Sequence, residues 1–267
     1  MLRFRINPVL DRAGGAASGS SRGSRRQSHS VALGTSLRRH PDPGSGTCGV
    51  GRLEVRRFSD GRPRWRGRLH SWAFVCSIPA GVALVVVAEG ATARIAVAVY
   101  VVSLAAVFGT SATYHRLARS PTAKRRLQRL DHSMIYVLIA GTYTPLCVLA
   151  FPSAWWIPVL AVVWSGAFLG VVVKAAGIKC LASAANALYI VLGWAAVVAL
   201  PVVVTSIPPF GLALMLTGGI AYTAGAIVFL RRRPDPRPDV FGFHEVWHAC
   251  TVIGAVSHFA MVWLIAA

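Results

Sequence analysis

Two pairs of polar residues in this 267-residue chain have a spacing that suits metal binding or catalysis. Ser111 precedes His115 by four residues, and His244 precedes His248 by the same interval. Residues four apart share one face of a helix, so the members of each pair can point at one ligand. Two histidines on one helix and a third on a neighbouring helix supply three nitrogen ligands and leave one position open for water. That is the pattern of a catalytic zinc site.

Asp131 adds a carboxylate near these histidines. It stands at the start of an apolar run, His115 at the end of the preceding run, and His244 at the start of the last run. Ionisable groups inside a membrane are costly, so they usually face the interior of a helix bundle and mark a functional site. We expect Asp131 to open its helix at the same depth as the histidines, and to orient a bound water or a ligand ring from outside the ligand shell.

Each of these polar residues also has a simpler interpretation when it is taken singly. Interfacial histidines and a helix-capping aspartate would account for the individual positions, and we expect His70 to be interfacial. His132 points about 100° away from Asp131, and His258 lies about 15 Å along the helix from His248, so neither is expected to join the metal.

The stretch His244-Glu245-Val246-Trp247-His248 also matches H-E-x-x-H, the zinc helix of metalloproteases. We disfavour a protease, because Glu245 is rotated away from the face that the two histidines share. Intramembrane proteases of this type also need an aspartate from a later helix, and this run is the last one predicted.

Composition places the chain in a membrane. Hydrophobic residues make up 55% of it and charged residues only 14%, against about 25% in a soluble domain. From Ser71 onward there are seven apolar runs of about 19–24 residues, the length that crosses a hydrocarbon core of about 30 Å. The runs are 71–89, 92–114, 131–150, 155–173, 184–204, 210–230 and 243–266. We predict an all-α integral membrane protein with seven transmembrane helices.

The net charge of +19 indicates membrane orientation better than nucleic-acid binding. Basic residues cluster in alternate loops, and aromatic-interleaved basic patches are absent outside Arg64-Trp65-Arg66. The basic loops contain Arg116, Arg119, Lys124, Arg125, Arg126, Arg129, Lys174, Lys179, Arg231, Arg232, Arg233 and Arg237. By the positive-inside rule we expect a multi-pass protein of the bacterial cytoplasmic membrane, with a cytoplasmic N terminus and an external C terminus.

The first 65 residues have a different composition from the rest. They are rich in Gly, Ser and Arg and have no sustained apolar period, so we predict a disordered basic tail over 1–65 and a membrane domain over 66–267. The tail contains no apolar core of 7–15 residues and is not typical of a secretory signal peptide. A start codon assigned too far upstream would also explain it.

Three stretches together resemble hemolysin III, the bacterial branch of the progesterone and adipoQ receptor family, which includes the adiponectin receptors. They are Ser111-Ala112-Thr113-Tyr114-His115, the run from Leu130 to Pro145, and His244-Glu245-Val246-Trp247-His248 followed by His258-Phe259. The resemblance covers about 70–267. It implies a seven-helix bundle with a zinc ion near the cytoplasmic leaflet.

By this resemblance, the zinc ligands are His115, His244 and His248, Asp131 contacts the zinc-bound water, and Ser111 is the serine of the S-x-x-x-H motif. One stretch departs from the family pattern. Many members begin the first span with a motif that contains an acidic residue, Asn and His, whereas this chain has Arg66-Gly67-Arg68-Leu69-His70, in which only His70 corresponds.

Several functions fit these residues. The first is a zinc hydrolase of a lipid amide or ester, with Asp131 and Ser111 as the catalytic candidates, because zinc activates water and polarises a carbonyl. The eukaryotic relatives resemble ceramidase-type amidases, which supports this function by analogy. The alternatives are a membrane-permeabilising or channel protein, and a receptor-like protein with a structural zinc. Membrane lipids are the expected partners, and the substrate, if there is one, is expected to be lipid-like.

Overall fold

The computed structural model describes residues 63–267, which form helices joined by short connections. Within this range there is no named strand, and one isolated bridge pairs Arg237 with Phe241. The helices are α1 (Arg68–Val87), α2 (Gly90–Leu117), α3 (Pro121–Ala150), α4 (Ser153–Ala176), α5 (Ala182–Gly193), α6 (Leu200–Ser206), α7 (Pro209–Arg231) and α8 (Phe243–Ala266). The predicted tail lies outside the described residues, apart from Pro63, Arg64 and Trp65.

Six of the helices described over 63–267 are long and apolar enough to cross a membrane: α1, α2, α3, α4, α7 and α8. Their outward surfaces are apolar; Val86 of α1 is 68% exposed and Phe168 of α4 is 72% exposed. Exposed apolar surface on this scale marks contact with lipid. The prediction of an all-helical membrane protein is therefore confirmed for the described part of the chain.

The expected fifth span, 184–204, is not one continuous helix. α5 ends at Gly193, a single 3₁₀ turn covers Ala195–Val197, and α6 begins at Leu200 with a proline in its first turn. Pro201 has no backbone N–H and its ring crowds the preceding turn, which explains why the helix does not run through this point. Together the pieces occupy 182–206.

The break between α5 and α6 leaves backbone groups without partners in a helix, and the Tyr143 hydroxyl of α3 forms hydrogen bonds with two of them. The hydroxyl donates to the carbonyl of Gly193 at 3.2 Å and accepts from the N–H of Ala196 at 2.7 Å. Unpaired backbone groups at membrane depth are costly, so irregular backbone there must be paired by neighbouring segments. α3 thus stabilises the interruption between α5 and α6.

The third helix begins ten residues earlier than expected. The side chain of Ser120 accepts a hydrogen bond from the N–H of Ala123 at 3.1 Å, and Pro121 occupies the first turn. This is a strong helix start, because a serine cap and a proline in the first turn both suit the unpaired end. The prediction that Asp131 opens this helix is wrong. Asp131 lies about 15 Å inside it, and the basic residues between Lys124 and Arg129 lie on helix rather than in a loop.

Helices adjacent in sequence pack against each other, and the last helix links the two ends of the described chain. α8 packs against α7 and also contacts α1, α2 and α3. The segment before α1 joins the connection before α8, because Arg64 N–H donates to the carbonyl of Asp239 and Trp65 N–H to that of Val240, both at 3.1 Å. These contacts bring the start of α1, the end of α2 and the start of α8 to one end of the bundle.

Candidate metal site

Three histidines from two helices meet at this end of the bundle. His115 lies two residues before the end of α2, and His244 and His248 lie on the first two turns of α8. One ligand atom from each lies within 4.8 Å of the others, and the Nε2 atoms of His115 and His244 are 3.1 Å apart. His248 is buried and the other two are half-buried. The structure therefore brings together the three histidines that the spacing singled out, in a group that could hold a metal ion.

The first turn of α8 is held in place by two carboxylates. Oε2 of Glu245 accepts from the N–H of Gly242 at 2.9 Å, and Oδ1 of Asp235 accepts from the N–H of Phe243 at 2.8 Å. These bonds satisfy N–H groups that a helix leaves unpaired at its start. They fix the direction of the turn that carries His244 and so help to place both histidines of α8.

Glu245 itself is held away from the histidine group. It is only 1% exposed, and its Oε1 forms an ion pair with Nε of Arg66 at 2.7 Å, while its other oxygen caps the helix. Both carboxylate oxygens are thus engaged with the helix start and with the segment before α1. This arrangement gives Glu245 a structural role, and it is unlike the free glutamate that a metalloprotease needs to activate water.

The start of α1 lies directly over His115. Gly67 has φ 75°, in the left-handed region that suits glycine, and a Cβ there would lie 2.7 Å from the Cβ of His115. Only a residue without a side chain allows this approach. The close contact places the next turn of α1, and with it His70, beside the metal-ligand candidates.

The position of His70 differs from the one expected from the sequence. It was expected at the interface, but it is 4% exposed, and its ring stacks on that of His248 with 3.8 Å between centroids and 9° between planes. The ring of Phe108 also contacts the His70 ring edge-on, at 5.1 Å between centroids. In the sequence, the feature that could have indicated this position is the correspondence of His70 to the histidine of the family motif at the first span.

Ser111 lies between His70 and Asp131. Nδ1 of His70 lies 2.8 Å from Oγ of Ser111, which is 2% exposed, and the Asp131 carboxyl group interacts with the Ser111 side chain. Among residues 63–267, Asp131 is not a member of the histidine group. Its interaction with Ser111 places it near His70.

The remaining histidines of the membrane helices stand apart. The backbone carbonyl of His132 accepts from the Tyr189 hydroxyl at 3.0 Å, and Nε2 of His258 lies 3.2 Å from the carbonyl of Met215. His258 also packs against Tyr222, at 5.5 Å between ring centroids. Neither histidine belongs to the group formed by His115, His244 and His248.

Comparisons with known proteins agree on one family. The family model described as Haemolysin-III related matches residues 58–259, which include every residue of the candidate metal site. Hemolysin-3 of Bacillus cereus is 33% identical over 198 residues, which are 72% of this chain and 86% of that protein. A hemolysin-3 homolog of Bacillus subtilis (strain 168) is 30% identical over 196 residues, 72% of this chain and 89% of that protein. The chain is a multi-pass membrane protein and belongs to the Haemolysin-III related family.

Proposed function

We propose that this membrane protein binds a zinc ion through His115, His244 and His248 and uses it to hydrolyse a lipid amide or ester. The observation that carries the proposal is the convergence of three imidazoles from two helices. Three nitrogen ligands with one open position suit a catalytic zinc better than a structural one, which is usually closed by four protein ligands.

The donor set fits zinc. With bonds of about 2.0–2.1 Å in tetrahedral geometry, ligand nitrogens lie about 3.3 Å apart. The His115 and His244 nitrogens are already 3.1 Å apart, and the widest separation in the group, 4.8 Å, needs only a side-chain adjustment. Bound there, zinc would make a coordinated water nucleophilic at neutral pH and would polarise a carbonyl.

Asp131 is the residue we propose to orient the water and accept its proton. Two observations support this role: Asp131 interacts with Ser111, and it does not belong to the ligand group. Ser111 is in turn held by His70, which is fixed between His248 and Phe108. A general base needs such a fixed position to act at one atom of a substrate.

The position of the site suits a lipid. His115 is near the end of α2 and His248 near the start of α8, so the group lies close to one end of apolar helices. A substrate with an apolar chain can keep that chain among the helices while its polar head reaches the histidines. We therefore propose an amide or ester of a lipid as the substrate class.

Membrane permeabilisation is the second candidate, favoured by the names of the two relatives, which are hemolysins. The polar side chains of the described spans argue against an aqueous pore. The hydroxyls of Thr142, Thr217 and Thr223 each donate to a carbonyl four residues earlier in their own helix. These hydroxyls form hydrogen bonds with the backbone of their own helices rather than line a channel.

We also propose seven crossings, with α5 and α6 together forming an interrupted fifth one. The pieces over 182–206 are as long as a span, at 1.5 Å per residue. Basic residues gather at the end of α2, the start of α3, the end of α7 and the connection before α8, and this is the end that carries the histidines. That end is proposed to be cytoplasmic, with the N terminus inside and the C terminus outside.

The test is metal content and activity of the purified protein. We expect about one zinc per chain in the wild type and less than about a fifth of that in His248→Ala, because two nitrogens hold zinc poorly. His132→Gln is the matched control, since it alters a half-buried histidine outside the group, and it should retain the metal. Zinc that is undiminished in single alanine variants of all three histidines would contradict the site.

Activity and permeabilisation are separated in the same preparations. Hydrolysis of a fluorescent long-chain amide or ester should require His248, whereas leakage of a dye from liposomes should not appear. Leakage that is equal in the wild type and His248→Ala, without hydrolysis in either, would favour the lytic function instead.

A further inference from the structure

A groove of about 610 Å³ lies on the outside of the bundle between α1 and α2. We refer to it as the α1–α2 groove. Its lining includes Ser71, Phe74, Ala106, Gly109, Thr113 and Arg116. None of these is a metal-ligand candidate, so the groove is separate from the site described above, although Arg116 follows His115 in the chain.

The wall of the groove is apolar along most of its length. The hydroxyls of Thr110 and Thr113 donate to the carbonyls of Ala106 and Gly109, both at 2.7 Å, so they do not need a partner in the groove. Phe74 lies against Gly109, where a Cβ would be 3.0 Å from the phenyl ring. Small residues on α2 and one aromatic ring on α1 thus shape an apolar channel that opens to the surrounding lipid.

The length of the groove matches one leaflet. Its lining on α2 extends from Ala105 to Leu117, which is about 18 Å of helix at 1.5 Å per residue. Half of a hydrocarbon core of about 30 Å is about 15 Å. An acyl chain that lies in the groove would therefore reach from the middle of the bilayer to the level of Arg116.

The cationic side chain of Arg116 lies at the polar end of the groove. Arg116 is exposed, and its Nη1 lies 3.4 Å from Oγ of Ser71. Among the residues that the structure describes, Arg66 and Glu245 form the one ion pair. Arg116 therefore has no carboxylate partner among them. A guanidinium beside a hydroxyl offers several donors to a phosphate, and basic pockets between helices near the interface bind anionic headgroups.

We infer that the α1–α2 groove binds one anionic glycerophospholipid, with an acyl chain along Phe74, Ala106 and Gly109 and its phosphate at Arg116 and Ser71. A second copy of this chain is the other candidate occupant, because small residues also line helix–helix interfaces in membranes. Charge argues against it. A two-fold dimer through this groove would bring the two Arg116 side chains to the same depth beside each other, without a carboxylate to separate them.

The experiment is lipid retention, measured by native mass spectrometry of protein exchanged into phosphatidylglycerol or phosphatidylcholine. We expect one phosphatidylglycerol per wild-type chain and about tenfold weaker retention in Arg116→Gln, since a charge-assisted bond is lost. Ala106→Phe should fill the groove and reduce retention as well. Arg119→Gln is the control, because it removes an exposed positive charge three residues beyond Arg116 and outside the groove, and it should behave as the wild type.

Three outcomes would overturn the inference. They are equal retention in Arg116→Gln and the wild type, equal retention of phosphatidylcholine and phosphatidylglycerol, and no retained lipid in the wild type. A wild-type dimer that Ala106→Phe dissociates would identify a protein interface instead. Arg116→Gln changes an exposed side chain and should fold, so the result does not depend on Ala106→Phe. The measurement needs neither zinc nor activity, and is independent of the proposed function.

Discussion

The imidazole ring of His70 lies flat on that of His248, with 3.8 Å between centroids and 9° between planes. His70 also bonds Ser111 through Nδ1 at 2.8 Å. One side chain from α1 therefore touches both a proposed ligand on α8 and Ser111 on α2, whose side chain interacts with Asp131. Loss of a group that orients a ligand from outside the coordination shell typically lowers metal affinity or activity by about 10–100-fold.

His70→Phe should separate the two contacts of this residue. The phenyl ring can still stack on His248 and Phe108, but it cannot bond Ser111, so the metal should be retained while hydrolysis falls about 10–100-fold. His70→Ala removes both contacts and should weaken zinc affinity as well. Zinc titration and hydrolysis are measured on the same samples. Identical losses of metal in the two variants would show that stacking is not what keeps His248 in place.

Asp131→Asn should impair chemistry without removing the metal. An amide keeps the size of the carboxylate and a partner for Ser111, but it cannot accept a proton from water at neutral pH. We expect zinc content near that of the wild type and activity lowered by about 10²–10⁴-fold, the usual contribution of a general base. If Asp131→Asn loses zinc as completely as His248→Ala, Asp131 is a ligand and the assigned roles must change.

The Arg66–Glu245 pair predicts a non-additive effect on stability. Arg66→Met leaves the 1%-exposed carboxylate of Glu245 without its partner, which should lower the free energy of unfolding by about 3 kcal/mol. In the double variant Arg66→Met with Glu245→Gln, the buried charge is gone and the amide oxygen can still accept from Gly242. Thermal unfolding in detergent should show the double variant to be more stable than Arg66→Met alone. A double variant no more stable than Arg66→Met would mean that the unpaired carboxylate costs little.

The proposed topology predicts opposite locations for the two ends of the chain. Reporter fusions at Gly46 and at Ala267 should report the cytoplasm and the outside, respectively, because seven crossings separate them. A fusion in the connection between α7 and α8 should report the cytoplasm. Both termini on one side would mean that α5 and α6 do not cross the membrane together.

Removal of residues 1–62 should leave insertion and zinc content unchanged. The backbone bonds of Arg64 and Trp65 and the ion pair of Arg66 hold the segment before α1, and all three residues remain. Positive charges near anionic lipid contribute about 1 kcal/mol each, so the loss of the earlier arginines should lower membrane affinity only slightly. Membrane yield and zinc per chain of truncated and full-length protein give the comparison. An inverted or metal-free truncated protein would place the domain boundary further upstream.

Much of the helical framework followed from the sequence. Apolar runs of span length predicted α1, α2, α4, α7 and α8, because length and hydropathy are local properties. Two boundaries differ from the prediction, each for a local reason. Ser120-Pro121 begins α3 before its apolar part, and Pro201 interrupts the expected fifth span.

The candidate site, too, was predictable from the sequence only in part. The spacing of His244 and His248 alone placed both on one face of α8, since helical geometry fixes residues four apart. Only the tertiary structure decided that His70 stacks on His248 and that Arg66 binds Glu245. These contacts join the start of α1 to the start of α8, and they depend on how close the two helices pack. Gly67 over His115 permits that approach, and no periodicity within either helix encodes it.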